Sequence, residues 1–529
     1  MPLSLPCHAP DPLPPGLWRT DAFHRHPLFL VHPGAGETGP PRLVRTWNEA
    51  HALHGPAGPI DVDPAYVAAL ISGHRSAAAS PYRRIRRLPR AHQVHLAADG
   101  GLRLFPYDPL ADGLAPMEAE ALHRALRQGL LDHLRRALEG HGGPIGCEHS
   151  SGLDSNAVLG ALIHGLGLPP ERLHTWSLEG GGEGRVLAWC RPFFSLLPDH
   201  CLRGDPTDQD GGAAADLRQQ PLRLLGAPAQ IGGPPRSVDA LRQQGCTLLF
   251  SGFGGDQALS HNANNVPTDL MLQGRWPALR RWMGGRRAAL RSAGGRALAL
   301  ACRPWAERQV RRRSRRFWRS DLLERTLTDE GLAWLSPHLQ PAYPWEMDGY
   351  LRQHTSIRRR VLSDWVAVRL EEETRVAAAR GVTKVFPLLD ERLIATLLRQ
   401  DPLLFGEGPG RGRLLHRRAF APFLPPVLRD NPSKHREAEE GFAAWQADLL
   451  NRHQGALARH LEDAPSWHPA LARWWDLHRI RQEGETLLER SGQPPGDGDN
   501  EEWMRAVVGT SRALETMAHL SGWWEALDG

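Results

Sequence analysis

The stretch Glu148-His149-Ser150-Ser151-Gly152-Leu153-Asp154-Ser155-Asn156 has the character of a loop between a strand and a helix. Its serines and glycine offer hydroxyl groups and unhindered backbone N–H groups, which together can bind an anionic phosphate oxygen. Residues 157–162 are typical of a helix, whose positive N-terminal end would face the same anion. Asp154 adds a carboxylate, a ligand that magnesium prefers beside a phosphate. A plain Ser/Gly turn with a helix cap is the alternative.

A second strand-and-loop unit follows later in the chain. Thr247-Leu248-Leu249-Phe250 is a short apolar run of strand character, and it ends in Ser251-Gly252-Phe253-Gly254-Gly255-Asp256-Gln257. A strand, a glycine-rich turn and then an acid bring backbone close to a nucleotide at the carboxyl edge of a parallel sheet. The two units together predict that Asp154 and Asp256 meet on one metal ion.

Three segments carry a resemblance to a known superfamily. SSGLDS at 150–155 resembles the SGGLDS loop of ATP pyrophosphatases, and SGFGGDQ at 251–257 resembles the SGEGSDE segment of asparagine synthetases. GVTKVFPLLD at 381–390 is similar to their GLEVRVPFLD. The resemblance covers residues 140–440 and implies an α/β domain with a parallel sheet and helices, of the PP-loop or HUP type. It also implies ATP and Mg²⁺ as cofactors.

The resemblance assigns roles to particular residues. Asp154 and Asp256 would bind the metal, and the implied ATP-binding residues are Ser150, Ser151, Gly152, Leu153, Asp154, Ser155, Ser177, Leu178, Ser251 and Gly252. RGRLLHRRA at 411–419 is similar to the family's "grtKyllReA", and LPPVLRDNPSK at 424–434 to its "lPeeilnRpKkgf". The second match makes Lys434 the implied catalytic lysine, opposite the transition state and the leaving pyrophosphate, with Lys384 as a second candidate. These are the only lysines among 64 basic residues, and a compact ammonium is not interchangeable with a guanidinium.

Residues 1–115 are predicted to form a separate N-terminal domain, and residues 116–529 the ATP-binding domain with a helical C-terminal part. Short strands at 29–31, 93–96 and 102–108, and a segment at 81–92, resemble the glutaminase-like domain of asparagine synthetases, an α+β domain of the N-terminal-nucleophile type. Glutamine-hydrolysing members carry a cysteine after the initiator methionine, where Pro2 stands here. We therefore expect a degenerate domain that releases no ammonia from glutamine and supports the synthetase domain.

Two helices are predicted around the implied site. Leucines recur at helical spacing over residues 117–138, which indicates an amphipathic helix before the first loop. A second helix over 364–380 precedes the GVTKVFPLLD strand, where Thr383 replaces a family glutamate that handles the attacking amine. Glu371, Glu372 and Glu373 are candidate substitutes, but ordinary helix-surface carboxylates are the expected interpretation.

Composition excludes several classes of protein. No apolar run is long enough to span a bilayer, residues 1–16 lack the parts of a signal peptide, and the six cysteines show no metal-ligand spacing. We therefore expect reduced thiols in the cytoplasm and no membrane partner. Residues 275–319 hold fifteen arginines and one acid, Glu307, with four interleaved tryptophans. A nucleic-acid surface, a groove for an acidic peptide and a solvated helical face are the possible interpretations, and we expect the groove.

The implied chemistry is carboxylate activation by ATP followed by amide formation. Because a working glutaminase is not expected, the favoured function is a lasso peptide cyclase. Such an enzyme adenylates an Asp or Glu side chain of a precursor peptide, joins it to the N-terminal amine of that peptide as a macrolactam, and releases AMP and pyrophosphate. A leader-peptide protease and a leader-recognition protein would be partners. A β-lactam synthetase-like small-molecule cyclase and an ammonia-dependent asparagine synthetase are the alternatives, and a tRNA-modifying enzyme would lack the second and third motifs.

Overall fold

The computed structural model describes residues 13–23, 25–33, 39–45, 49–50, 82–179, 183–204, 235–302, 326–335, 350–431 and 454–491, and single positions at 63, 66, 80, 507, 510, 511, 514, 517, 518 and 521. Its strands are β1 Gly16–Arg19, β2 Phe29–Val31, β3 Arg42–Val44, β4 Ile85–Arg87, β5 His92–Leu96, β6 Leu102–Pro106, β7 Ile145–Glu148, β8 Leu173–Leu178, β9 Cys201–Gly204, β10 Leu248–Phe250 and β11 Thr383–Val385.

The α-helices of these ranges are α1 Ala119–Leu138, α2 Leu153–Gly160, α3 Glu183–Cys190, α4 Pro235–Gln243, α5 Val266–Leu272, α6 Trp276–Trp282, α7 Arg286–Ala301, α8 Asp329–Leu335, α9 Gln353–Val361, α10 Asp364–Ala378, α11 Glu391–Leu397, α12 Leu414–Ala419, α13 Pro426–Arg429, α14 Pro469–Ala472 and α15 Leu477–Ser491. In this part of the chain, no helix is long and apolar enough to cross a membrane.

Five strands form a parallel sheet in the order β11, β10, β7, β8, β9. From β7 the chain adds β8 and β9 on one side, and it then returns to add β10 and β11 on the other. The direction in which the sheet grows therefore reverses between β7 and β10. Open parallel sheets bind ligands in the crevice outside the carboxyl ends of the strands at such a point. The predicted α/β fold with a parallel sheet is confirmed, and its crevice lies between the two predicted loops.

The strands of this sheet are apolar because helices cover both of its faces. On one face, α1 buries the leucines whose spacing predicted a helix, and these pack in one core with alternate residues of the strands: Leu122, Leu126, Leu130, Leu134, Ile145, Cys147, Leu248 and Phe250. On the other face, Leu249 packs with Leu241 of α4 and Ala377 of α10. Each central strand is thus buried on both sides, which explains the continuous apolar run at Leu248–Phe250.

Two three-stranded antiparallel sheets precede the parallel sheet, in the orders β1-β5-β6 and β3-β2-β4. They share a small apolar core that consists of Leu28, Leu30, Leu43, Leu88, Val94 and Leu96. The strands predicted near 29–31, 93–96 and 102–108 are confirmed as β2, β5 and β6. The assignment of this unit to the N-terminal-nucleophile type stays a prediction.

The second of these sheets also packs against the C-terminal part of the chain. Its remaining apolar side chains share a core with tryptophans and leucines of the C-terminal helices: Phe29, Val31, Val44, Ile85, Leu457, Leu461, Trp467, Trp474 and Trp475. The β3-β2-β4 sheet therefore has apolar contacts on both of its faces, and the N-terminal strands are an integral part of the folded chain.

Helix α10 carries three consecutive buried glutamates. Glu371, Glu372 and Glu373 are 0%, 2% and 5% exposed, so the expectation that they are ordinary helix-surface carboxylates was wrong. Glu371 forms an ion pair with Arg87 of β4 at 3.0 Å, and both side chains are almost completely buried. Arg375 of the same helix lies 3.8 Å from Glu371. Because a buried carboxylate needs a paired cation, these two arginines allow Glu371 of α10 to be buried.

We predict that Arg87→Met lowers the free energy of unfolding by about 3 kcal/mol, because it leaves Glu371 buried without its closest cation. Arg358→Met is the matched control, since Arg358 joins the same two parts of the chain through an exposed ion pair with Asp108 at 2.8 Å. Removing that pair should cost at most about 1 kcal/mol. Urea unfolding of both variants measures the difference, and equal losses would contradict the role given to Arg87.

Candidate active site

The first loop, residues 148–156, is held in shape by its own side chains. Ser155 Oγ accepts a hydrogen bond from the backbone N–H of Ser150 at 3.1 Å, and the two serine hydroxyls lie 2.9 Å apart. Ser150 Oγ accepts from the N–H of Gly152 at 3.2 Å. Asn156 Nδ2 donates to the carbonyl oxygens of Ser150 and Gly152, both at 2.7 Å. The loop is therefore preorganised by contacts within it.

The N-terminus of α2 opens onto this loop. Gly152 is its N-cap residue, and no side chain in the described part of the chain caps this end. The first N–H groups of a helix lack partners within the helix, so they are suited to bind an anion. Leu153 is buried in the main apolar core, so any contact that it makes with a nucleotide is through its backbone. Ser150 is exposed, and Ser151 is half-buried.

The second loop, residues 251–257, lies directly against the first. A Cβ atom on Gly252 would come within 2.4 Å of the backbone nitrogen of Ser155, and one on Gly255 within 2.0 Å of Asp154 Oδ1. Gly254 has a φ of 104°, a conformation that side chains other than glycine rarely adopt. The glycines of this loop thus allow the two loops to touch. Gly252, a predicted ATP-binding residue, makes this backbone contact with Ser155.

Asp154 and Asp256 lie on either side of one hydroxyl group. Ser260 Oγ is 3.0 Å from Asp154 Oδ2 and 3.2 Å from Asp256 Oδ1. Arg413 donates to Asp256 Oδ1 at 2.9 Å. The buried His416 ring places its Nε2 atom 3.2 Å from Asp154 Oδ1. The structure therefore brings together the two carboxylates that were predicted as metal ligands.

The chemistry of this pair fits a magnesium ion. Apart from its 3.2 Å contact with His416 Nε2, the buried Asp154 Oδ1 accepts no hydrogen bond within the described ranges, so this oxygen remains available as a ligand. Magnesium usually binds one or two carboxylates and completes its shell with phosphate oxygens and water. No cluster of three or more His, Cys, Asp or Glu side chains that could hold a metal occurs among the described residues. Two carboxylates with phosphates and water are the arrangement that these residues would support.

A series of ionic contacts connects β11 to the carboxyl end of β7. Lys384 Nζ forms ion pairs with Glu373 Oε2 at 2.7 Å and with Glu148 Oε1. Glu373 Oε1 accepts a hydrogen bond from Arg369 Nε at 2.6 Å, and Glu148 Oε2 accepts one from Ser251 Oγ at 2.5 Å. We call these five residues the ionic relay. It connects α10, β11, the first loop and the second loop.

The members of the relay determine one another's protonation. Burial opposes the charged form of Lys384, but the carboxylates of Glu148 and Glu373 outweigh it and raise the pKa of that ammonium. Burial likewise opposes ionisation of Glu373, and the charges of Lys384 and Arg369 outweigh it and lower the pKa of that carboxyl group. The Arg369 guanidinium also lies 4.1 Å from the centre of the Phe253 ring, which brings the relay against the second loop.

The other predicted residues lie in different surroundings. Ser177 and Leu178 end β8, beside the first loop, and Ser177 Oγ donates to Glu179 at 2.9 Å while it accepts from Arg191 at 3.2 Å. Thr383 begins β11 and so lies at the end of the sheet away from the loops, whereas Val385 O accepts from the N–H of Ser251. Lys434 lies outside the described residues.

Several residues of the site had no role assigned from sequence. Ser260, Arg413 and His416 contact the two aspartates, although the segment 411–419 had been matched to the family. Glu148 was part of the quoted loop and had no function attached to it. Arg413 is the N-cap residue of α12, and His416 lies three positions later in the first turn of that helix. That spacing was the available signal.

Comparison with known proteins agrees with this geometry. A model of the asparagine synthase family matches residues 237–509, which include the second loop, α10 and β11. That region is more than half of the chain. The chain belongs to the asparagine synthase family. Its domain is that of an ATP-using enzyme of the ligase type. No curated protein matches the sequence.

Two buried histidines near the candidate site are neutral. His149 Nε2 in the first loop donates to Asn156 Oδ1 at 3.1 Å, and burial lowers the pKa of His149 to about 4. His261 Nδ1 accepts a hydrogen bond from the side-chain amide of Gln353 at 2.9 Å, and His261 Nε2 lies 3.3 Å from Ser356 Oγ. Burial, and the charges of nearby arginines, lower its pKa to about 3.

We predict that the free energy of unfolding falls as the pH decreases from 6 to 5. A histidine in the unfolded chain titrates near pH 6.5, so in this window the unfolded state takes up protons that His149 and His261 refuse in the folded state. Each contributes a slope of up to about 1.4 kcal/mol per pH unit. His261→Gln should remove one such contribution in urea unfolding at the two pH values. A slope equal to that of the parent would contradict the neutral assignment.

We also predict that Asp154→Asn and Asp256→Asn each weaken Mg²⁺-dependent ATP binding at least tenfold and abolish pyrophosphate release, because a neutral amide is a poor magnesium ligand. Asp239→Asn is the matched control for Asp256→Asn. The side chains of Asp239 and Asp256 are 46% and 47% exposed, and each forms an ion pair with an arginine. The Mg-ATP-induced rise in Tm should persist in Asp239→Asn and vanish in the other two variants. A normal rise in either site variant would exclude that residue from the metal site.

Proposed function

We propose that this enzyme activates a side-chain carboxylate of a precursor peptide with ATP and joins it to the N-terminal amine of the same peptide, as a lasso peptide cyclase does. The family match and the crevice between β7 and β10 support the activation chemistry. The choice of a peptide as substrate rests on one observation, the surface that follows the second loop.

That surface consists of helices α6 and α7, which we call the basic helix pair. Its exposed side chains are arginines and large apolar residues: Arg280, Arg281, Arg286, Arg287, Arg291, Trp276, Leu290 and Leu298. Residues 275–302 contain no acid. Arg296 of α7 donates to Thr268 Oγ1 at 2.7 Å and to Asn264 O at 3.0 Å, so the pair is anchored to the segment that follows the second loop. A surface with both charged and apolar parts suits a peptide better than a free amino acid.

The residues of the crevice support the activation step. The N–H groups at the start of α2 and the serines of the first loop would bind the pyrophosphate part of ATP. Asp154 and Asp256 would hold magnesium, which neutralises the charge that develops on the phosphates. The substrate carboxylate then attacks the α-phosphorus, and pyrophosphate leaves. Arg413 pairs with Asp256 in the structure, so its guanidinium group would add positive charge beside the phosphates.

The second step is amide formation within one molecule. The peptide amine attacks the activated carbonyl carbon, and AMP leaves. Holding both ends of one peptide in the crevice makes this step intramolecular, which removes much of the entropic barrier. We retain Lys434 as the proposed cation opposite the leaving pyrophosphate. For Lys384, whose side chain is buried between two carboxylates, we propose that its charge acts through the relay.

The test is a panel of substrates incubated with ATP and Mg²⁺. It contains linear peptides with a free N-terminal amine and one internal Asp or Glu, the same peptides N-acetylated, and aspartate with ammonium. We expect the free peptides to release AMP and pyrophosphate and to lose one water. Acetylated peptides should be activated without losing water. Asparagine formed from aspartate and ammonium, with no peptide activated, would contradict the proposal.

Charge-reversal variants of the basic helix pair test whether this surface binds the peptide. Arg286→Glu with Arg287→Glu should raise KM for the peptide at least tenfold and leave KM for ATP unchanged, since both side chains are exposed on α7. Arg135→Glu, on the exposed side of α1, is the control. An unchanged peptide KM would remove the basic helix pair from substrate binding.

A further inference from the structure

Glu148 is a partly exposed member of the ionic relay. Its side chain is 26% exposed, whereas those of Lys384 and Glu373 are 4% and 3% exposed. Glu148 ends β7, so it lies at the carboxyl edge of the sheet, next to the strand-order reversal and directly before the first loop. A charged group that connects a buried network to the crevice can act on a substrate as well as on the fold.

Both oxygens of Glu148 are held by donors from other parts of the chain. Oε1 pairs with the Lys384 ammonium, and Oε2 accepts from Ser251 Oγ of the second loop. These two contacts fix the direction of the carboxylate. A carboxylate oxygen has two lone pairs, so each oxygen can still accept one more hydrogen bond from the exposed side.

The relay pairs Glu148 with one cation and leaves part of its side chain exposed. Glu373 is already matched by Arg369 and Lys384, both of which lie within 2.7 Å of its oxygens. The four ionic members of the relay carry two negative and two positive charges, so no net charge is buried. Lys384 stays protonated because its two carboxylates raise its pKa.

The other carboxylates that the structure describes around the crevice are already used. Asp154 and Asp256 form the metal pair. Glu179, which directly follows β8, forms an ion pair with Arg191 and lies 3.6 Å from Arg203. Burial opposes the ionisation of Glu179, but its charged and hydrogen-bonding partners outweigh burial and lower the pKa of this carboxyl group. Two guanidinium groups hold this carboxylate, whereas Glu148 faces a single ammonium group. Glu148 remains as the carboxylate that an incoming cation can reach.

An amine that forms an amide must first lose a proton. The α-amino group of a model peptide has a pKa of roughly 8. At neutral pH it therefore arrives mostly as an ammonium ion, which has no lone pair for attack. We propose that Glu148 binds this ammonium group in the crevice and accepts one of its protons, an assignment that rests on the proposed function. The role extends that function to a residue that recognises the nucleophile.

The proton and electron balance of this step is simple. The ammonium N–H bond breaks, its proton moves to a Glu148 oxygen, and the nitrogen keeps the electron pair. That pair forms the C–N bond to the activated carbonyl carbon, and the bond from that carbon to the AMP oxygen breaks, with AMP keeping its electrons. The second proton on the new amide nitrogen is released to solvent, and Glu148 returns its proton in the same way.

The experiment separates activation from amine attack. Hydroxylamine is largely uncharged at neutral pH and attacks an activated carboxylate without first losing a proton, so hydroxamate formation reports activation alone. In Glu148→Gln, the side-chain oxygen can still accept a hydrogen bond from Lys384. The side-chain N–H group can donate to Ser251 Oγ, which in the parent donates to the carboxylate. We expect it to form peptide hydroxamate within about threefold of the parent and to close the macrolactam at least 100-fold more slowly, the usual size of a lost general base.

Further variants define the result. Glu148→Asp keeps a carboxylate and should close the ring at least tenfold faster than Glu148→Gln. Glu407→Gln, which alters an exposed ion pair with Arg418, should behave as the parent. Ring closure by Glu148→Gln at the parental rate overturns the inference, and so does a parallel loss of hydroxamate and ring. A parent enzyme that gives no peptide hydroxamate contradicts the proposed function, and with it this role of Glu148.

Discussion

The contact between two loop backbones is the constraint on which the candidate site depends. Gly252 lies so close to the Ser155 nitrogen, and Gly255 so close to Asp154, that neither position has room for a side chain. This contact is available only where the sheet changes its direction of growth, between β7 and β10. Because the loops touch there, two aspartates from distant parts of the sequence lie on either side of the Ser260 hydroxyl, close enough together to bind one magnesium ion.

Helix α10 connects the candidate site to the N-terminal strands through ion pairs. Residues two positions apart on an α-helix point about 200° apart, and Glu371 and Glu373 use that geometry. Glu371 pairs with Arg87 of β4, and Glu373 pairs with Lys384 beside the first loop. The helix is thus held from two sides by buried charges. Buried ion pairs of α10 therefore connect strand β4 with the candidate site.

Local patterns predicted much of this arrangement. The spacing of leucines gave α1, the apolar run at 248–250 gave β10, and the two motifs placed Asp154 and Asp256 together. The burial of Glu371 and Glu373 was not predictable, because it depends on partners far along the chain. Arg87 and Glu371 are 284 positions apart, and Lys384 and Glu148 are 236 apart. A glutamate on an amphipathic helix looks the same in sequence whether or not such a partner meets it.

The most direct test of the two-carboxylate site is anomalous diffraction from crystals grown with Mn²⁺ and a non-hydrolysable ATP analogue. We predict one metal peak within coordination distance, about 2.1 Å for a magnesium-like site, of one oxygen from Asp154 and one from Asp256. The phosphates of the analogue should lie at the N-terminus of α2. A metal and nucleotide bound away from both aspartates would contradict the site.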